Sequence, residues 1–266
     1  METGLICLIA AMPEEIKPLL RLAGPYKKER IDGFQAYRFT CGKEKVLLVR
    51  SGMGPENAVA ATDTVIKEAK PSLIVNFGFC GAIVEDFKVG DIVVAHRILL
   101  NKGYLFSPQS GIDEETAKLL SRSLTDILAD RDFNVQGGVF ITVSEIRRKD
   151  EMSRIVPSWV RNPVLEMETA AAAMTASKNG TPFLAIRCVS DDAVEEFGFS
   201  IDELADSGMR IRIGKVLLTV ARRPWIIPQL LKLSKNSKKA GKNLALAVTS
   251  LLEDADELRM KRERPY

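Results

Sequence analysis

"LICLIAAMPEEIKPLLRLA", Leu5 to Ala23, contains the unit from which the fold is built. Leu5–Met12 is an unbroken apolar run of strand length, and such runs fit strands covered on both faces. Pro13 closes it, and "EEIKPLLRLA" reads as a helix. The same order recurs along the chain. "KVLLVRSG" (Lys45–Gly52), "SLIVNFGF" (Ser72–Phe79), "DIVVAHRIL" (Asp91–Leu99), "GGVFITV" (Gly137–Val143) and "PFLAIRCVS" (Pro182–Ser190) read as further core strands. "NAVAATDTVIKEA", "DEETAKLLSRSLTDILAD" and "METAAAAMTASKNG" read as helices, the last closed by Asn179-Gly180. Alternating strands and helices predict an α/β domain, a three-layer α/β/α sandwich around a central mixed sheet. Ligands of such sheets sit beyond the carboxyl ends of the strands, so the residues there carry the functional reading.

Composition narrows the chemistry. The 266 residues are 46% hydrophobic and 27% charged, ordinary for a protein with a large core, and the net charge of +3 makes no case for nucleic acid. A single domain over 1–266 is expected. The four cysteines (Cys7, Cys41, Cys80, Cys188) lie far apart without a CxxC, which fits a reducing cytoplasm and neither a disulfide framework nor a zinc site. The first residues lack a basic segment and read as a buried strand rather than a signal peptide. No stretch reaches the roughly 18–20 apolar residues of a membrane span.

His96 is the sole histidine, which excludes a multi-histidine metal site and leaves any histidine-based triad dependent on one residue. At the end of "DIVVAH" it has no visible catalytic partner and reads as structural. Acid–base chemistry should therefore run on carboxylates, with no metal and no cofactor.

Five polar stretches follow the strands: "AAMPEE", "RSGMGPENA", "NFGFCGA", "VLEMET" and "RCVSDDA". Each has an ordinary reading. Acids at helix starts serve the helix dipole, and glycine-rich strand–helix turns are common. Together and in this order, with "KVGDIVV" after the third, they resemble the nucleoside phosphorylase/nucleosidase superfamily. The closest pattern is that of the methylthioadenosine/S-adenosylhomocysteine nucleosidases, over about Gly4 to Ala193.

The resemblance implies cleavage of the N-glycosidic bond of an adenine nucleoside such as methylthioadenosine or S-adenosylhomocysteine, with water as acceptor, by a cytoplasmic homodimer. It implies Asp191 as the general acid at the purine, assisted by Ser190, and Glu15 as the group that positions the attacking water. Glu168 would grip the ribose hydroxyls with Met167 against the sugar face, and Glu166 would play a supporting role with Arg187. Met12, Met53, Phe79, Cys80, Gly81, Arg187 and, in the position of the purine-stacking phenylalanine, Ile146 complete the expected substrate-binding set. The ordinary alternatives stay open: Glu15 and Glu168 as first-turn helix acids, Asp191 as an N-cap, Met167 as core filler, Cys80 as a small buried residue.

Two departures matter. Related phosphorylases carry an arginine and a serine around the third glycine turn, where this chain has Asn76 and Phe79, and "AAMPEEI" has no arginine. A phosphate dianion without arginine is poorly neutralised, which favours water over phosphate. Phe79 and Ile146 also keep open a non-catalytic nucleoside-binding protein, and Arg147 or Arg148 a relocated anion site. The second departure is the extension at about 222–266. "RRPWIIPQLLKLSKNSKKAGK" (Arg222–Lys242) holds seven Lys/Arg and no acid. It reads as a helix that docks its apolar stripe with its lysines in water, or as a surface for peripheral membrane contact. It also resembles the tail of hopanoid-associated phosphorylases, which release adenine from adenosylhopane; phosphorolysis is thus the alternative activity.

Overall fold

A computed structural model describes residues 4–144, 149–191, 223 and 226–254. The expected strands are present as β1 (Ile6–Ala10), β4 (Glu44–Arg50), β5 (Leu73–Ala82), β6 (Ile92–Lys102), β8 (Val135–Thr142) and β10 (Phe183–Asp191). Four strands were not anticipated: β2 (Lys27–Ile31), β3 (Phe34–Cys41), β7 (Leu105–Gln109) and β9 (Pro163–Glu166). The first two alternate exposed and covered residues at the sheet edge, so they lack the apolar runs of the core strands. Asp32-Gly33 joins them with positive φ at both positions (43° and 84°), the backbone of a two-residue hairpin turn.

The helices are α1 (Pro13–Ala23), α2 (Pro55–Ala69), α3 (Glu114–Ile127), α4 (Lys149–Ile155), α5 (Thr169–Lys178) and α6 (Ile227–Glu253). Asp113 caps α3 by accepting from the Thr116 backbone N–H at 2.8 Å. The helix expected to begin inside "VLEMET" starts only at Thr169, because Pro163–Glu166 is drawn into β9 beside the end of β5.

All ten strands join one mixed sheet in the order β10-β6-β8-β9-β5-β1-β4-β3-β2, with β7 on β6. A further β10–β5 pairing closes β5, β10, β6, β8 and β9 into a ring at one end. The expected sandwich is therefore a sheet that is open at the β2 edge and rolled at the other. One face packs Leu8, Leu48, Val75 and Phe77 against α1, α3 and α6. The opposite face packs Cys7, Leu47, Val49 and Ile74 against α2 and α5.

The tail helix α6 is split in character. Ala240, Leu244, Ala247, Val248 and Leu251 are fully buried, each large side chain contributing roughly 1.5–3 kcal/mol. Before Ala240 the helix faces water, with Leu231 66% exposed among Lys232, Lys235 and Lys238. Among the described residues no helix is long and apolar enough to cross a membrane. His96 has the structural place expected of it. Its Nε2 lies 3.0 Å from Ser121 Oγ, and its ring fills the space over Gly137, where an added Cβ would meet it at 1.8 Å. Burial pushes its pKa down.

Candidate active site

The parallel strands β1, β4, β5 and β10 send their carboxyl ends to one edge of the sheet. β9 runs antiparallel to β5, pairing Leu165 with Gly81, and so delivers Glu166, Met167 and Glu168 to the same place. The described residues of all five stretches singled out in the sequence meet there.

Glu15 sits on the first turn of α1 but is 3% exposed, which a helix-dipole role does not require. Its Oε2 accepts from the backbone N–H groups of Ala11 (2.9 Å) and Met12 (2.8 Å), and its Oε1 accepts from Phe79 N–H (2.9 Å). Gly78 makes this approach possible, since a Cβ there would lie 2.7 Å from Oε1. Burial pushes the carboxyl up to about 7, against the three N–H groups that favour its charge; the nearby Glu168 adds to the rise. A carboxylate poised near neutrality suits a general base.

Glu168 accepts from Gly54 N–H at 2.8 Å, which ties it to the turn after β4. Burial and then Glu166 raise its pKa. Glu166 itself is enclosed. Burial opposes its charge, but the Arg187 guanidinium at 2.9 Å and the hydroxyls of Thr142 and Thr169 outweigh that and hold its pKa low. Its Oε2 also accepts from the backbone N–H groups of Glu168 (3.0 Å) and Thr169 (2.7 Å). Glu166 thus fixes the turn that presents Glu168, the supporting role expected of it.

Arg187 was expected to reach substrate as well. It is 1% exposed, and its Nη2 donates to Asn76 Oδ1 (2.5 Å) and Thr169 Oγ1 (2.8 Å) besides Glu166. It lies beneath the site, with Phe140 5.7 Å from its guanidinium carbon. Asn76, Thr142 and Thr169 were not anticipated in this network. As single hydroxyl or amide residues within apolar strands and an alanine-rich helix, they carry no sequence signal of a shared partner.

At the third corner Ser190 Oγ donates to Asp191 Oδ1 at 2.7 Å and lies 3.4 Å from Cys80 O. Asp191 Oδ2 is 2.5 Å from Lys149 Nζ, and both side chains are largely covered (19% and 11% exposed). Gly81 lies against this pair; a Cβ there would be 2.9 Å from Asp191 Oδ2 and 3.4 Å from Lys149 Cε. Lys149 was missed, since in "RRKD" it reads as part of a solvated charge run. Asp191 is therefore half of an ion pair and not an isolated buried acid.

Phe79 contributes its backbone to Glu15, while its ring packs toward α1 and α6. Cys80 is buried, and burial pushes its thiol far above its ordinary range, the environment of a structural cysteine. Met12 and Met53 are half-buried and line a cavity of about 850 Å³ with Ala11, Ser51 and Gly52. Met167 is half-buried and packs in part on the cluster around Ile141 and Met152. Ile146, Arg147, Arg148 and Asp192 lie outside the described residues. Among the described residues no group of three metal-ligating side chains comes together.

The arrangement offers a buried carboxylate near neutrality, a second carboxylate close enough to act on it electrostatically, and a carboxylate–ammonium–hydroxyl corner with both donors and acceptors. The model of the phosphorylase superfamily matches residues 5–221. The chain is 30% identical over 226 residues to the 5′-methylthioadenosine/S-adenosylhomocysteine nucleosidase of an Exiguobacterium species, covering 81% of this chain and 97% of that protein. It is 29% identical to the enzyme of the same name from Listeria innocua, over 81% and 99%. In structure it resembles the Streptococcus pyogenes S-adenosylhomocysteine nucleosidase in complex with 5-methylthiotubericidin (TM-score 0.71, 22% identity, 96% of this chain and 98% of that one). It also resembles the Helicobacter pylori futalosine hydrolase (TM-score 0.69, 18% identity, 96% and 98%).

Proposed function

The chain belongs to the phosphorylase superfamily, and from that premise we propose that it is a nucleosidase that hydrolyses the N-glycosidic bond of an adenine nucleoside. The observation that carries the reading is Glu15: a buried carboxylate with a pKa near 7, held by three backbone N–H groups and raised further by the charge of Glu168.

In this reading the ribose lies between the two glutamates. Glu168 accepts from the vicinal hydroxyls, and two carboxylate oxygens suit a diol. Glu15 takes a proton from a water whose oxygen bonds to C1′. The C1′–N9 bond breaks, its electron pair passes into the purine, and a proton delivered from the Asp191–Lys149–Ser190 corner to N7 lets the base leave as neutral adenine. Met12, Met53 and Met167 supply apolar walls to the sugar in this reading, and the relatives named as nucleosidases support the reaction itself. The carboxylate at Glu15, where a phosphate dianion would be repelled, favours water as acceptor. We place the protein in the cytoplasm, in keeping with its free cysteines, and read it as a dimer from the family resemblance alone. The exposed Leu231 among lysines on α6 supports peripheral membrane contact.

Purified protein mixed with methylthioadenosine, S-adenosylhomocysteine, adenosine and inosine, with and without phosphate, tests the reading. Phosphate-independent release of adenine is the expected result. Release that strictly requires phosphate would replace hydrolysis by phosphorolysis, the activity to which the tail resemblance points. Tight adenosine binding with no base released from any substrate, adenosylhopane included, would leave a binding protein.

A further inference from the structure

Asn76 lies in β5 between the apolar residues Val75 and Phe77, and it is buried. Asparagine is disfavoured inside strands, and a buried amide is costly unless its polar atoms are bonded. Here they are bonded in opposite directions. Nδ2 donates to the carbonyl of Ile9, the neighbour of Asn76 on β1, at 3.2 Å. Oδ1 accepts from Arg187 Nη2 at 2.5 Å and from Thr169 Oγ1 at 3.2 Å, and the backbone O accepts from Arg187 Nη1 at 3.2 Å. A carbonyl on one side needs a donor, and a guanidinium on the other needs an acceptor. A planar amide offers both from its two corners, whereas leucine offers neither and an ionised aspartate only the acceptor.

The two sides of this amide lead to the two carboxylates of the site. Just beyond Ile9, the N–H groups of Ala11 and Met12 hold Glu15 Oε2, and further along β5 itself Phe79 N–H holds Oε1. On the other side Arg187 and Thr169 donate to Glu166 Oε2, which also accepts from the N–H of Glu168. We propose that Asn76 is a positioning residue that fixes the separation of Glu15 from Glu168, by tying the end of β1 to the Arg187–Thr169–Glu166 cluster. The role rests on the nucleosidase reading, in which Asn76 touches no substrate and acts through the two glutamates. Glu15 must meet the water at C1′ while Glu168 holds the diol, so their spacing governs whether a bound nucleoside reacts. The tie also opposes the mutual repulsion of the two carboxylates and keeps Glu168 near enough to act on Glu15. Were Asn76 present only to satisfy Arg187, its loss would lower stability and leave the chemistry of the folded enzyme unaltered.

The test compares the wild-type protein with Asn76→Leu and with the conservative Asn76→Ser, whose hydroxyl keeps one donor and one acceptor. Steady-state kinetics with methylthioadenosine are measured across pH, and urea unfolding confirms that each variant is folded. Asn76→Leu is expected to lower kcat by about tenfold or more with KM changed by less than about threefold. The acid limb of its kcat/KM profile moves to lower pH, because the two like charges separate. Asn76→Ser recovers part of kcat and part of the shift. A kcat within about twofold of wild type, or a loss of kcat with the acid limb in its wild-type place, overturns the role. If Asn76→Leu does not fold, Asn76→Ser decides alone: lowered kcat with a shifted limb supports the role, and a wild-type limb overturns it. Failure of the nucleosidase reading looks different: the wild-type protein releases no base from any nucleoside. Titration of the glutamate carboxyl carbons by carbon-13 NMR, assigned with Glu15→Gln, then reads the tie without turnover. A Glu15 midpoint that falls in the Asn76 variants supports it, and one that stays in place overturns it.

Discussion

Lys149 Nζ stands 2.5 Å from Asp191 Oδ2, joining the first residue of α4 to the last of β10 over the bare backbone of Gly81. An acid for the leaving purine was expected from Asp191 with the help of Ser190; the ammonium beside it makes the corner a paired donor and acceptor. Loss of a general acid costs on the order of 10²-fold or more, and Asp191→Asn should lower kcat for adenine release by that much. Lys149 acts through Asp191. Lys149→Met should reduce kcat with little change in KM, and Lys149→Arg should recover part of it. Steady-state kinetics decide this: a variant that raises KM alone makes Lys149 a binding group.

Glu15 must be ionised to take a proton from water. Its pKa of about 7 therefore predicts that kcat/KM rises with pH through about 7 and falls below it. Glu15→Gln should abolish turnover while binding of adenosine persists in calorimetry. A pH profile flat between 5 and 8 would remove Glu15 from the chemistry.

The same group makes a stability prediction of definite sign. Its folded pKa lies above the ordinary carboxylate value of 4.5, so between about 4.5 and 7 the folded chain holds a proton that the unfolded chain has released. Stability from Glu15 is present below that window and is lost as pH rises through it. The shift corresponds to roughly 3 kcal/mol for one buried group. Urea unfolding across this range should show a steeper decline in wild type than in Glu15→Gln, the remainder in the variant coming from Glu168, whose pKa is also raised.

The Glu166–Arg187 pair should behave oppositely. Glu166 is held low, so its contribution is present above the ordinary carboxylate range and is lost as pH falls through its lowered value. Arg187→Met strands a carboxylate that is fully enclosed. Breaking a buried pair from one side costs about 3–5 kcal/mol, measurable as a fall in the urea midpoint. A loss under 1 kcal/mol would mean the pair carries little.

Gly78→Ala isolates geometry from chemistry. The added Cβ would meet Glu15 Oε1 at 2.7 Å, too close for the carboxylate to stay between Phe79 N–H and the turn after β1. Activity should drop by at least about tenfold, because small displacements of a positioned group are costly in rate. Unchanged activity would show that Glu15 tolerates relocation.

The sequence by itself determined the alternation of strands and helices, the mixed sheet and the five stretches at its carboxyl edge. Buried strands carry apolar runs, and the turns after them carry glycines and acids, so both are written locally. Edge strands β2 and β3 were not legible in the same way, because half-exposed strands take their pairing from partners rather than from their own hydrophobicity. The division of labour in "VLEMET" came only from the tertiary structure. Glu166 and Glu168 are alike as letters, yet Arg187, 21 residues on, holds one charged and enclosed, while Gly54, 114 residues back, holds the other at the site. Likewise the basicity of Glu15 and the pairing of Lys149 with Asp191 exist only once distant strands meet. Desolvation and Coulomb forces act through space, and the identity of a residue does not contain its neighbours.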